Sequence, residues 1–298
     1  MSRTVSPSAN RVYGVRRVCE ELELARSTFY ACRDRRERSE RVLLKRGPKT
    51  KLSDEHLTEK IREILQASPF VGEGHRKVWA RLRATDVRTS RPRILRLMRI
   101  AGLLAPHRAK RTLGPRSHEG TIITEQPDMM WGTDFTTTMT VREGQAAVFI
   151  AVDHCTSEGI GIHAAKSATR FEALEPIRQG VREHLGGFEA NIATGLSVRH
   201  DNGTQYISRH FQKELDFLGI VSSPSFVRSP EGNGCAERFI KTLKEQLLWV
   251  RTFETIEELR LALHEWLKTY NEQWLVERHG YRAPSQVRRD IVAKRSAA

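Results

Sequence analysis

Apolar residues recur at helical spacing through the first third of the chain and at strand spacing through the middle. Val12, Val15, Val18, Cys19 and Leu22 share one helical face, and after a short break Ser27-Thr28 reads as a cap for a second helix from Phe29. The segment Val12 to Arg36 is therefore predicted as a helix-turn-helix. Three more amphipathic helices are predicted over Asp54 to Leu65 (Leu57, Ile61, Ile64, Leu65), His75 to Leu82 (Val78, Trp79, Leu82) and Ile94 to Leu104 (Leu95, Leu97, Met98, Leu103, Leu104). Polar stretches from Arg33 to Lys51, with Gly47-Pro48, and from Ala105 to Gly120, with Gly114-Pro115, read as linkers.

From Met129 the period changes. Met129 to Thr140, Ala146 to Asp153 and Gly159 to Ala165 are rich in strand-forming residues, and Glu143-Gly144 supplies a turn, so an antiparallel meander is expected. Helix Ala168 to His184, strand Leu196 to His200, helix Ser208 to Leu218, strand Gly219 to Ser223 and helix Cys235 to Val250 follow. This predicts an α/β fold, a mixed five-stranded sheet with flanking helices, preceded by all-α helix-turn-helix modules. The expected domains are 1–50, 51–118, 119–250 and a helical extension over 251–298.

Charge sharpens that division. The 298 residues hold 50 Lys plus Arg against 36 Asp plus Glu, a net +14. Residues 1–120 carry 29 basic and 13 acidic side chains, and residues 121–298 carry 21 and 23, so the excess is entirely N-terminal. A cationic helical half beside a near-neutral α/β half suits a DNA-binding part joined to a separate working part, because only the former must replace condensed counterions. Candidate DNA contacts are Arg26, Ser27, Thr28, Tyr30 and Arg33 in the first module, and Lys77, Arg81, Arg93, Arg96 and Arg99 in the second. Cys19, Cys32, Cys155 and Cys235 form no Cys-x-x-Cys pair, which argues against a disulfide framework or a zinc site. The longest apolar run, Ala146 to Val152, falls far short of the roughly 20 residues of a membrane helix. With no apolar signal core in Met1 to Asn10, a cytoplasmic, nucleoid-associated protein is expected.

Three acids stand out by position. In the first strand the period of two sets Asp134 on the face of Gly132 and Thr136, which is small or polar. Asp201 opens the turn Asp201-Asn202-Gly203 at the carboxyl end of a strand, where α/β sheets collect ligands. Glu237 lies in the first turn of a helix, with Lys241 and Lys244 on its stripe and Phe239, Ile240, Leu243, Leu247 and Val250 on another. A Glu237–Lys241 surface ion pair is the plain alternative. Carboxylates suit hard ions such as Mg²⁺ or Mn²⁺, and two such ions can activate the attacking oxygen and stabilise the leaving oxygen of a phosphodiester. Three carboxylates that converge would repel one another, so a metal-free site should hold a proton or lose order.

The segments Trp131-Gly132-Thr133-Asp134, His200-Asp201-Asn202-Gly203-Thr204-Gln205-Tyr206 and Ser229-Pro230-Glu231-Gly232-Asn233-Gly234-Cys235-Ala236-Glu237-Arg238 resemble the DDE catalytic core of insertion-sequence transposases and retroviral integrases. Thirty-five residues separate Asp201 from Glu237, and Lys244 lies seven beyond it, as in that family. The N-terminal helix-turn-helix, Gly74-His75-Arg76-Lys77-Val78-Trp79 and Gly280-Tyr281-Arg282-Ala283-Pro284 extend the resemblance to the second reading frame product of the IS-three insertion-sequence family. The resemblance implies an RNase H-like core, Asp134, Asp201 and Glu237 as ligands of two Mg²⁺ or Mn²⁺ ions, and DNA contacts from Lys244, Lys241, Arg238 and Asn202. It further implies cutting and joining of element ends, at least a dimer on terminal-repeat and target DNA, and an upstream reading frame product as a partner or fusion. No membrane partner is expected. One departure is that Tyr270-Asn271 leads into Glu272-Gln273-Trp274-Leu275-Val276-Glu277-Arg278-His279 instead of the Arg-Pro-His type segment of many relatives.

Three rivals fare differently. His279-x-x-Arg282 has the spacing of a tyrosine recombinase, but no tyrosine follows Tyr281 to act as nucleophile. A DNA-binding regulator would need only residues 1–120 and leaves the three acids without a purpose. A metal-dependent nuclease that cuts without joining would use the same ions. Asp153, Glu143, Glu158 and Asp216 read as turn or surface acids, His200 as a packing residue, and Trp249 and Trp266 as core.

Overall fold

The structure is a computed structural model, and it describes residues 3–37, 51–106, 122–225 and 233–296. Most of the linkers expected over Arg33 to Lys51 and Ala105 to Gly120, and residues 226–232, lie outside the described residues. The chain forms two compact units, Met1–Lys51 and Leu52–Ala298.

In the first unit α1 (Gly14–Glu21) and α2 (Arg26–Glu37) form a helical pair. Helix α2 starts earlier than the cap reading expected: the backbone N–H groups of Thr28 and Phe29 donate to the carbonyl of Ala25, so Ser27 and Thr28 lie inside the first turn. Cys19 is buried, whereas Val12, Leu22 and Leu24 are exposed.

The second unit opens with α3 (Asp54–Ala67), α4 (His75–Ala84) and α5 (Arg91–Ile100). The hydroxyls of Ser53 and Ser90 accept from the N–H groups of His56 and Arg93, capping α3 and α5. Leu57, Ile61, Val78, Leu82, Ile94, Leu97 and Met98 close a small core between the three helices.

A five-stranded sheet follows, built from β1 (Met130–Thr140), β2 (Gly144–Asp153), β3 (Gly159–Ala165), β4 (Ser197–His200) and β5 (Val221–Pro224) in the order β3-β2-β1-β4-β5. The first three strands are antiparallel, and β1, β4 and β5 run parallel. Between β3 and β4 lies α6 (Glu175–Leu185), and between β4 and β5 lie α7 (Thr204–Ile207) and α8 (Arg209–Leu218). After β5 come α9 (Gly234–Leu243), a π-helical turn (Lys244–Leu248), α10 (Ile256–Gln273) and α11 (Pro284–Ser296). The expected helix over Ala168 to His184 is shorter because Pro176 sits in the first turn of α6 and a 3-10 turn, Glu172–Leu174, precedes it.

Each sheet face has its own core. Trp131, Phe149, Ala151 and Val198 pack against α6, α7 and α8, while Val148, Ile150, Val152 and Ile162 pack against α9 and α10. Helix α6 lies so close to β3 that a Cβ on Gly161 would overlap the Pro176 backbone. Two acids expected at the surface are buried. Asp153 accepts from the N–H groups of Asp128 and Thr156 and from the Thr156 hydroxyl, and Glu158 pairs with Arg288 of α11. Arg288 also holds Asp128, at 2.5 Å, and so fastens the C-terminal helix to the entry of β1.

Candidate active site

The site begins with strand register. Gly132 of β1 stands opposite Arg199 of β4, the last pair of that parallel ladder, and two further steps in the same register bring Asp134, within β1, level with Asp201, just past the end of β4. Adjacent strands lie about 4.8 Å apart and side chains alternate, so both carboxylates leave the sheet on one side. Asp134 pairs across the other ladder with Ile150, which belongs to the face covered by α9. That helix carries Glu237 in its first turn, where the helix dipole favours a negative charge.

Electrostatics tie the three acids together. Burial pushes the Asp134 carboxyl up to about 6, and the negative charges of Asp201 and Glu237 push it the same way, opposed by the N–H of Phe135 and by Lys244. Desolvation likewise raises Glu237. One Asp134 oxygen accepts from the N–H of Phe135 at 2.8 Å, and one Asp201 oxygen from the N–H of Gly203 at 2.9 Å. Among the described residues no three His, Cys, Asp or Glu side chains form a ready cage for a metal ion. The donor set is nevertheless all carboxylate oxygen, and the repulsion felt by Asp134 is of the kind a divalent cation relieves.

Several neighbours hold these acids in place. The Asn233 amide donates to the Thr133 carbonyl at 2.9 Å, and the Thr133 hydroxyl donates to the Ile150 carbonyl at 2.8 Å. A Cβ on Gly132 would lie 2.8 Å from both Asn233 Oδ1 and His154 Nε2, so only glycine lets the start of α9 come this close to β1. His200 is buried, bonded through Nε2 to Ser222 and through Nδ1 to the Asp201 carbonyl, and it stacks on Tyr206. Gly132, Thr133, Asn233 and Tyr206 stand in the quoted motifs, but the sequence alone gives them no role of their own. The available signal was a lone glycine inside a strand, which marks a close backbone approach.

The charged candidates divide. Arg238 and Lys241 are exposed on α9, and Lys241 pairs with Glu245 at 4.0 Å rather than with Glu237. Lys244 stands near enough to Asp134 to counter its charge, and the Asn202 amide donates to the Ser225 carbonyl. Gly234 is the first residue of α9. The apolar stripe ends early because the π turn adds a residue, which leaves Trp249 and Val250 exposed; Trp249 is thus no core residue, whereas Trp266 is. In the first unit Arg26, Ser27, Thr28, Tyr30 and Arg33 all lie at the surface, with the Arg33 guanidinium over the Tyr30 ring.

Three candidates of the second module, Lys77, Arg81 and Arg93, turn inward. Arg81 forms a two-pronged pair with buried Glu73 at 2.6 and 2.9 Å, and Arg93 and Arg96 both hold Asp54. The Lys77 Nζ is enclosed 2.7 Å from the centre of the Trp274 ring, and burial pushes its ammonium down to about 7. The reason is that α4 docks on the C-terminal extension. Arg76 pairs with Glu277, Phe70 packs on Trp274, Trp79 on Tyr281, and Gln246 exchanges two hydrogen bonds with the Val71 backbone. Arg99 remains exposed on α5.

Comparison with known proteins decides the family. An HTH-like domain model matches residues 52–111 and an integrase core domain model matches residues 218–284. Over 290 residues the chain is 26% identical to the transposase for insertion sequence element IS629 of Shigella sonnei, covering 94% of this chain and 93% of that one. It is 25% identical over 232 residues to the transposase InsD of the IS2A/D/F/H/I/K elements of Escherichia coli, covering 75% and 77%. The chain is a DDE transposase of the IS-three family. The catalytic core of BIV integrase aligns with 57% of the transposase and 99% of its own length at 18% identity and a TM-score of 0.43. No described helix of the transposase is long and apolar enough to cross a membrane.

Proposed function

We propose that the transposase cuts and joins element-end DNA at Asp134, Asp201 and Glu237. The observation that carries this reading is the continued β1–β4 register, which sets Asp134 against Asp201, together with the upward push that Asp201 and Glu237 exert on the Asp134 carboxyl. The three carboxylates would hold two Mg²⁺ or Mn²⁺ ions, which when bound activate the attacking oxygen and stabilise the leaving one. Lys244 lies beside the acids and would grip the phosphate next to the cut; Lys241, Arg238 and Asn202 would extend that grip along the strand. The attacking group is water for the first cut and a freed 3′-hydroxyl for joining. Arg26, Ser27, Thr28, Tyr30 and Arg33 would bind the terminal repeat through the first unit, and the exposed Arg99 of α5 would add a phosphate contact. Joining two ends requires at least two copies of the chain on DNA, with an upstream reading frame product as a further partner.

The test is a strand-transfer assay on labelled element-end DNA with Mg²⁺ or EDTA. Wild type should join only with metal, and Asp201→Asn or Glu237→Gln should lower joining by roughly 10³-fold while keeping end binding. Full joining by either variant would overturn the assignment. Cleavage without joining by wild type would favour a nuclease.

A further inference from the structure

We propose that Asn233 is a positioning residue for the reaction: its buried amide fixes the Glu237 helix against the Asp134 strand and so sets how the carboxylates share a divalent ion. This rests on the assignment of Asp134, Asp201 and Glu237 above. Asn233 immediately precedes α9, and its side chain is buried at 5% exposure. Its one hydrogen bond among the described residues runs to the carbonyl of Thr133, the residue before Asp134. A single link of 2.9 Å thus joins the start of one acid-bearing element to the backbone of another.

The surroundings leave the amide little freedom. Gly132 gives up its side chain where Asn233 Oδ1 and His154 Nε2 stand. His154 donates through Nδ1 to the Ile122 carbonyl, and its Nε2, like Asn233 Oδ1, is buried without a hydrogen-bond partner among the described residues. In the orientation seen the amide N–H satisfies the Thr133 carbonyl; turned over, the amide would set its oxygen against that carbonyl, acceptor against acceptor. Thr133 itself is fixed by its hydroxyl on the Ile150 carbonyl, so displacement of α9 cannot be absorbed by β1. Glu237 lies one helical turn beyond Asn233, and a loosened helix start moves its carboxylate relative to Asp134. Residues that orient metal-binding carboxylates typically change ion affinity about 10-fold to 100-fold when lost.

The experiment compares full-length wild type, Asn233→Ala, Asn233→Asp and Glu237→Gln. Mn²⁺ binding is read by electron paramagnetic resonance, element-end binding by anisotropy, thermal melting by circular dichroism, and joining as a function of Mn²⁺. The expected result is that Asn233→Ala binds end DNA as wild type does, needs about tenfold more Mn²⁺ for half-saturation, and recovers joining at high Mn²⁺. Asn233→Asp, of equal size but set to repel the Thr133 carbonyl, should shift the Mn²⁺ midpoint further, and it carries the comparison if the alanine variant does not fold. A lowered melting temperature with an unchanged Mn²⁺ midpoint would overturn the inference, since a merely structural contact behaves that way. Wild-type Mn²⁺ binding and joining by Glu237→Gln would instead overturn the active-site assignment itself.

Discussion

Among the described residues of the N-terminal unit Cys19 is the one apolar side chain buried, and Val12, Leu22, Leu24 and Tyr30 face solvent; helices α3 to α5 enclose seven apolar side chains. Both regions are basic, helical and rich in arginine, yet their cations have different neighbours. On α2 the arginines lie at the surface. On α4 and α5, Glu73 and Asp54 draw Arg81, Arg93 and Arg96 into ion pairs, and Trp274 covers Lys77. Charge counted along a sequence therefore measures attraction to DNA only where no buried carboxylate or aromatic face of the same chain has claimed it.

The largest effect should come from breaking the Glu73–Arg81 pair. Glu73 is 3% exposed, and removing its guanidinium leaves a buried carboxylate with Ser68 alone as donor among the described residues. Arg81→Met should cost about 3 kcal/mol, or a fall in Tm of roughly 6–12 °C by thermal melting. The salt dependence of end binding should stay as in wild type. A stable variant with a shallower salt dependence would mean that Arg81 contacts phosphate after all.

Lys77 gives a smaller effect with a definite sign in pH. Burial holds its ammonium near 7, while an unfolded lysine titrates near 10.4. Between those values the unfolded chain binds the extra proton, so this residue's contribution makes the fold more stable as pH rises and less stable as pH falls towards 7. Lys77→Met removes that dependence. Its Tm relative to wild type should be highest near pH 6.5 and fall by a few degrees by pH 9.5; a difference that does not change with pH would show that Lys77 is solvated.

What could be read from sequence follows the same division. Strands β2 and β3, buried on both faces, read as continuous runs of strand-forming residues, and the period of two along β1 sets the face of Asp134, so the strands and that face are legible. Asp201 and Glu237 were legible from the motif, and Asp201 also from its place after a strand. The π turn at Lys244–Leu248 was not, because helix arithmetic assumes a constant turn, and Trp249 was misplaced with it. Glu158 was read as a surface acid because its partner, Arg288, lies 130 residues away. Lys77, Arg81 and Arg93 face inward because the extension that carries Trp274 and the carboxylates of Glu73 and Asp54 take up faces that look solvent-facing on a helical wheel.

The smallest effect on stability, and the sharpest test of the comparison, is a matched pair of arginines. Arg26 is exposed at the start of α2, whereas Arg93 donates to Asp54 and to the Leu52 carbonyl, both at 2.8 Å. Arg26→Ala should leave stability within about 0.5 kcal/mol. If Arg26 neutralises one phosphate of the element end, the slope of log K against log salt should become shallower by about one. Arg93→Ala should do the reverse: the melting temperature falls because Asp54 loses one of its two arginine partners among the described residues, and the slope holds. Equal slopes in the two variants would erase the distinction between the modules. Opposite assignments would mean that α5, and not α2, reads the element end.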